Sequence, residues 1–341
     1  EADIYRSPEY GGMHCDTEAD RFRMFVYREG DRYWIYPFLL RSLPSMFQNI
    51  VADPMHDIET PYGYGGPYSN TGEREFVLKA DSAFRDWCCE TGVIAEFVRF
   101  HPLDSNEKMF AQGPYIVRDR QTVSLDLFGD GDIRTRLSKN ARSMINRAYK
   151  SGVKVFLAQS EQEFDQFVRI YKQTMTRLAA DEFYNFSDDY FEQLRKLVCS
   201  SGMLVLATHS GTISAGAIFL KGKHRLHYHL SASDPENFHS GATNAVILCA
   251  AEIGRAKGMK RLHLGGGNSR SEDDSLFRFK RRMGTDIHDF WIGKRIHNEA
   301  VYRAVCNEWR QDNAEAAEIY GSRLLCYRYG KNLRVGEEEK L

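Results

Sequence analysis

Apolar positions along the chain alternate between strand-like runs and helical spacing, and the alternation repeats itself. Met24–Tyr27 and Tyr33–Leu40 are apolar, β-prone runs joined by Arg28-Glu29-Gly30-Asp31, which predicts a hairpin. A short run at Asp57–Thr60 leads into Pro61-Tyr62-Gly63-Tyr64-Gly65-Gly66-Pro67. Phe76, Val77, Ala80, Phe84, Trp87 and Cys88 then fall at helical spacing and stop near Gly92, ahead of a buried-type strand at Val93–Phe100. Tyr115–Leu127 is expected to add a further pair of strands. Later the order returns. Met203–Thr208 and Thr212–Leu220 form a hairpin about Ser210-Gly211, and Arg225–Leu230 is a third strand. Ser231–Ser240 is a polar loop, Ala242–Lys257 a helix stopped by Gly258, and Lys260–Leu264 a closing strand. Hairpin, strand, loop, helix, strand occurs twice in one order, a repeat of pattern rather than of residues.

Three further helices precede the second set. Leu137, Ala141, Ile145 and Ala148 make one apolar stripe, ended by Gly152. Ser160 and Glu163 have capping-box spacing ahead of Phe164, Phe167, Ile170 and Tyr171. Ser187 opens a helix carrying Phe191, Leu194, Leu197 and Val198. After Phe290 come a strand and a final helix about Val301, Val305 and Trp309. Helices alternating with strands in this way predict an α/β architecture with helices on both faces of mixed sheets. The expected division is residues 1–133, residues 134–335 opening with a basic helix, and a charged, frayed tail at 336–341.

Composition narrows the chemistry. The 341 residues fit two domains, and 42% hydrophobic with 27% charged residues is an ordinary globular balance. With 46 Lys and Arg against 47 Asp and Glu, the chain is no general nucleic-acid coat, although a local basic patch can still grip phosphates. No apolar run approaches the roughly 20 residues of a membrane helix, and the start shows no signal-peptide pattern, so a cytoplasmic location is expected. Seven cysteines without paired spacings read as free thiols, and no metal site is expected.

Four places carry candidate chemistry. Arg134, Arg136, Lys139, Arg142, Arg147, Lys150 and Lys154 interrupt their stretch with no acid, so the face opposite the apolar stripe is uniformly positive. That is either a solvated face or a surface for phosphates, with Lys139, Arg142 and Arg147 as the binding candidates. Gly265-Gly266-Gly267, followed by Asn268, ends a buried strand and allows close backbone approach to a ligand; Phe279, Lys280 and Arg281 follow in a second basic cluster. The Tyr62-Gly63-Tyr64-Gly65-Gly66 loop is held between prolines and offers flat faces and hydroxyls to an acceptor. Arg99 and His101 end a strand where a ligand cleft should open, and an imidazole there can accept a proton near neutral pH. His227 and His229 share one strand face and read as packing or cleft lining. There is no nucleophile elbow or P-loop, so no covalent intermediate is required.

Four stretches together resemble the Fem-type aminoacyltransferases (FemABX), which build peptidoglycan bridges on tandem acetyltransferase-type (GNAT) domains. They are DIETPYGYGGP at 57–67, FVRFHP at 97–102, LSKNARSMINRAYKSG at 137–152, and LHLGGG with LFRFKRRMG within 262–284. The resemblance implies two tandem GNAT-like domains and amide formation, in which an acceptor amine attacks an activated acyl carbon. It implies an aminoacyl-tRNA or acyl-CoA co-substrate and no tightly bound cofactor. The implied acceptor is a peptidoglycan precursor or an amino sugar, with tRNA as a partner and peripheral contact with a lipid-linked precursor. A lysine in an F-K-x-x-M-G context lies near the donor site of such enzymes, which makes Lys280 a charge stabiliser. The loop at Asn237–Asn244 lacks the full glycine signature of a CoA pyrophosphate grip, which favours a non-CoA donor. An acyl-CoA-dependent N-acetyltransferase and an inactive precursor-binding protein are the alternatives.

Overall fold

Residues 3–330 are described by the computed structural model, apart from 16, 18, 48, 52, 111–114, 179–183 and 236–240. The chain runs α1 (Pro8–Gly12), β1 (Arg21–Glu29), β2 (Arg32–Ser42), β3 (His56–Glu59), β4 (Tyr68–Ser69), α2 (Arg74–Glu90), β5 (Val93–Arg99) and β6 (Ile116–Asp126). It continues through α3 (Lys139–Lys150), β7 (Lys154–Leu157), α4 (Glu161–Arg177), α5 (Asp188–Ser201), β8 (Gly202–His209), β9 (Thr212–Lys221) and β10 (Arg225–Ser233). Then follow α6 (Ala242–Ala256), β11 (Arg261–Gly266), α7 (Ser275–Met283), β12 (Asp286–Ile296), α8 (Glu299–Asp312) and α9 (Ala314–Tyr320).

Compactness divides these elements into a central unit, Glu1–Met13 with Asp119–Asp289, and a flanking unit, His14–Arg118 with Phe290–Leu341. This differs from the single cut at 133/134 that the order of repeated elements suggests. Each unit recruits a segment remote in sequence, and a cut read along the chain has no access to such packing. The tail expected at 336–341 and the residues 236–240 lie outside the described residues.

In the central unit the strand order is β6-β11-β10-β9-β8-β7, with β10 and β11 parallel and the other neighbours antiparallel. Alternation sorts the side chains. Ala215, Ala217 and Phe219 of β9 join the core with Leu226, Leu262 and Leu264, covered by Ile145 of α3 and Val246 of α6. The intervening residues of β9 face the other way, where a Cβ at Gly216 would touch Phe167 of α4. Helices therefore cover both faces.

The caps anticipated from sequence are present. The Ser138 side chain accepts from Ala141 N–H at the start of α3, Ser160 and Glu163 form the full capping box of α4, and Ser187 caps α5.

In the flanking unit the order is β1-β2-β3-β5-β12, with β4 on β2 and only β3–β5 parallel. Phe76, Ala80 and Phe84 of α2 pack on Trp34, Tyr36 and Phe38 of β2. Val305 and Trp309 of α8 close on Ile94 and Ala95 of β5. The hairpin–strand–helix–strand order thus appears in both units.

One expectation is corrected. Tyr115–Leu127 does not form a strand pair; β6 is one unbroken strand of 11 residues. No Gly or Pro offers a turn there, and the polar stretch in its middle is held extended. Arg120 Nη1 donates to Gly267 O at 2.8 Å, and Asp119 pairs with Arg270.

Candidate functional site

Beyond one short ladder, β10 and β11 part. Their pairing covers only Arg225–His227 against Arg261–His263, although β10 continues to Ser233 and β11 to Gly266. Past that point β10 follows β9, with a bulge between Tyr228 and Leu230, and β11 follows β6, with a bulge between His263 and Gly265. Bulges re-aim side chains and end pairing, so a gap opens between two neighbouring parallel strands. Such a gap at the strand ends is where a ligand can enter an α/β sheet.

Lys280 stands beside this gap. Phe277, Lys280 and Met283 are spaced i, i+3, i+6 on α7, so the lysine shares the buried stripe of its helix. Its Nζ donates to Gly266 O at 2.7 Å and lies 5.7 Å from the Tyr228 ring centre. Burial pulls the ammonium pKa down to about 8, with Asp274 raising it and Arg120 lowering it further. Burial also pushes the Tyr228 phenol up to about 12, so this neighbour stays neutral.

The triple glycine is a fitted piece rather than a loose turn. Asp274 caps α7 by accepting from Phe277 N–H at 2.9 Å, and accepts as well from Asn268 and Ser269 N–H at 3.1 and 3.0 Å. A Cβ on Gly267 would run into the Asp274 carboxylate, which explains the glycine by close approach. Phe279 packs against the core, whereas Asn268 and Arg281 are exposed. Asp274 escaped the sequence reading although it precedes the helix in the position of a capping acid.

The basic helix behaves as its pattern predicts. Ala141, Ile145 and Ala148 are buried, and the opposite face lines an open hollow of about 710 Å3 with Lys139, Arg142, Arg147, Lys150 and small polar residues. Arg134 and Arg136 are engaged differently, on Asn146 Oδ1 and on the carbonyls of Asp126 and Phe128. Ser138 N–H donates to Arg282 O at 3.1 Å, so the start of α3 is tied to the end of the helix that carries Lys280.

In the flanking unit the Tyr62–Gly66 loop is pinned. Gly65 N–H donates to Arg99 O at 2.8 Å, and Asn106 Nδ2 donates to Gly65 O and Pro67 O at 2.8 and 2.9 Å. Gly66 has φ +85°, and a Cβ there would press on Asn106 and Phe100. Arg99 is held by Glu59 Oε1 at 2.6 Å and Thr60 O at 2.9 Å, which ties loop to strand. Tyr64 packs 5.6 Å from the His101 ring and 5.4 Å from Phe290. His101 is buried, and its Nδ1 accepts from Leu103 N–H at 3.2 Å. The neutral ring then carries its proton on Nε2, which makes that atom a donor. This tautomer opposes the proton-accepting role expected of His101. Asn106, which organises the whole loop, gave no signal in the sequence because its partners lie about 40 positions away.

His227 and His229 do share a face, and Tyr5 lies at 4.7 and 6.1 Å from their ring centres. His227 Nε2 is 2.9 Å from Asp3 Oδ2, and His229 Nε2 is 3.0 Å from the Tyr190 hydroxyl. No helix among the described residues is long and apolar enough to cross a membrane.

Residues 135–281 match the family model described as the acetyltransferase (GNAT) domain. Among solved structures, the chain is similar to FemX at 12% identity, covering 89% of this chain and 94% of that one with a TM-score of 0.67. It is also similar to the C-terminal domain of a protein named as a lysylphosphatidylglycerol synthetase from Agrobacterium fabrum, at 13% identity, 88% and 89% coverage and TM-score 0.55. The L-PGS structure from Bacillus licheniformis gives 12% identity, 85% and 87% coverage and TM-score 0.55. No curated protein matches by sequence. Residues 135–281 match the GNAT acetyltransferase domain, and the chain has a fold like that of FemX.

Proposed function

We propose that this chain transfers an aminoacyl or acyl group to an amine of a peptidoglycan precursor, by direct attack of the amine on the activated carbonyl. The observation that carries the reading is Lys280, a buried ammonium beside the gap between β10 and β11, in a fold shared with FemX over nearly the whole length of both chains. In a low-dielectric site a fixed cation stabilises the charge that develops on the acyl oxygen, and such electrostatic help is worth about 3–4 kcal/mol per donor. The basic face of α3 would hold the phosphates of the substrate, with Lys139, Arg142 and Arg147 foremost. In the other unit, the Tyr62–Gly66 loop offers aromatic faces to a ligand and His101, for the tautomer reason given above, a hydrogen-bond donor rather than a base. The Agrobacterium protein is named for lysylphosphatidylglycerol synthesis, which supports an aminoacyl donor and an envelope acceptor by analogy.

A second reading has its own support. The matching family model is that of acetyltransferases, so acetyl-CoA as donor and an amino sugar or small amine as acceptor is the rival.

The test sets the purified chain with labelled aminoacyl-tRNA or acetyl-CoA against a nucleotide-linked peptidoglycan precursor. Label transferred from tRNA to the precursor, and matching loss of that modification from muropeptides when the gene is deleted, is the expected result. Transfer from acetyl-CoA alone would replace this reading with its rival.

A further inference from the structure

The proposed reaction needs a group that takes a proton from the acceptor ammonium, and the tautomer of His101 leaves that part unfilled. The face of the central sheet opposite its apolar core holds another imidazole. His227 and His263 form the last paired position before β10 and β11 separate, so His227 stands where the gap begins. Leu226 and Tyr228 face the core, which turns His227 to the other side, where it is fully buried. There it meets Asp3, 224 positions away in the chain.

Asp3 is itself held. Its Oδ1 accepts from Tyr5 N–H at 3.3 Å as the cap of a short 3-10 turn, and its Oδ2 lies 2.9 Å from His227 Nε2. An ionised carboxylate only accepts hydrogen bonds, so Nε2 must be the protonated nitrogen and Nδ1 carries the lone pair. That arrangement, a buried carboxylate fixing tautomer and ring orientation, is what an imidazole base requires. Within the same unit, the groups around the ring include Arg225, whose Nη1 is 3.9 Å from Asp3 Oδ2, His263, Tyr5, and the His229–Tyr190 pair.

We infer that His227 is the proton acceptor for acyl transfer, with Asp3 as its positioning residue. The inference rests on acyl transfer as the reaction and is independent of which donor serves it. The acceptor ammonium gives one proton to His227 Nδ1, and the freed nitrogen lone pair forms the C–N bond. The C–O bond of a tRNA ester or the C–S bond of a thioester breaks, and the second nitrogen proton goes to the departing oxygen or sulfur. His227 then releases its proton to solvent, so the step closes with one amide, one alcohol or thiol, and one proton.

The experiment compares wild type with His227→Gln, Asp3→Asn and Asp3→Glu. Each is assayed with whichever of acetyl-CoA and aminoacyl-tRNA the wild type turns over, and far-UV circular dichroism melts verify folding. His227→Gln is expected to lower kcat about 100-fold or more with KM within threefold, the size of a general-base contribution. Asp3→Asn is expected to lower kcat about tenfold with KM within threefold, because the carboxylate fixes the tautomer and orientation of the ring; Asp3→Glu recovers part of the rate. A folded His227→Gln that keeps more than a third of wild-type kcat, or an Asp3→Asn chain that changes KM while kcat stays within twofold, overturns the assignment. Donor choice reads the proposed function separately, since turnover with acetyl-CoA alone removes the aminoacyl donor while the variant ratios still report on the base.

Discussion

Replacing Lys280 with Met separates the stability of this protein from its activity. The buried ammonium has its pKa pulled from 10.5 to about 8. At about 1.36 kcal/mol per pH unit, that depression corresponds to about 3 kcal/mol of folded-state penalty for holding the charge. Methionine has a similar unbranched reach and carries no such penalty. Against this, Gly266 O loses its 2.7 Å donor, which costs about 1–3 kcal/mol for a buried carbonyl. The net expectation at pH 7 is a Lys280→Met chain between equal in stability and about 2 kcal/mol more stable, yet at least about 100-fold slower in acyl transfer. The pH dependence follows from the sign of the shift. Below pH 8 the lysine is protonated in both the folded and unfolded chain, so the penalty is fully present. Between about 8 and 10.5 the folded lysine loses its proton first, and the wild type gains about 2 kcal/mol on the variant by pH 9.5. All four tryptophans lie in the flanking unit, so indole fluorescence does not follow the central unit that contains Lys280. Urea unfolding by far-UV circular dichroism, with hydrogen exchange of α7 amides, is the suitable measurement. A variant destabilised by 2 kcal/mol or more at pH 7 with no change toward pH 9.5 would refute the buried-charge argument, and full activity would refute the catalytic one.

Three other outcomes are expected. Asp274→Ala removes a cap that also pins the glycine turn, and should cost about 1–2 kcal/mol and slow transfer by loosening Lys280. Burial raises the Asp274 pKa, but the N–H groups of Phe277, Ser269 and Asn268 outweigh it and hold the pKa low. This stabilisation should therefore persist above the ordinary carboxylate range and fade in acid, so equal acid sensitivity of wild type and variant would count against it. Asn106→Ala strips donors from Gly65 O and Pro67 O and an acceptor from His101 N–H, and should destabilise the flanking unit by about 2–4 kcal/mol in tryptophan-monitored unfolding. Changing Lys139, Arg142, Arg147 and Lys150 together to Gln should reduce the salt slope of tRNA binding by about 3, at 0.7–0.9 per neutralised phosphate, and an unchanged slope would remove α3 from the binding surface.

Much of this protein is legible along the chain because the signals are local. The stripe Ala141, Ile145, Ala148 with Ser138 before it and Gly152 after it specifies α3 and its positive outer face without reference to anything else. The hairpin turns likewise announce the repeated order of elements, whereas the helix that buries Phe277, Lys280 and Met283 reads along the chain only as a basic cluster after a glycine turn. Extended polar stretches are less readable, since the partners that hold Asp119 and Arg120 in one strand, Arg270 and Gly267 O, come from far along the chain. The roles of single site residues depend most on the tertiary structure. His101 ends its strand where expected, yet its tautomer is decided by Leu103 N–H, and the tautomer determines whether it accepts or donates. His227 reads as packing or cleft lining until the Asp3 carboxylate arrives at 2.9 Å. Helix periodicity and capping are short-range properties of the backbone, so sequence alone determines them. Proton positions and pKa values depend on which charges and N–H groups folding brings within a few ångströms, and only the assembled structure decides that.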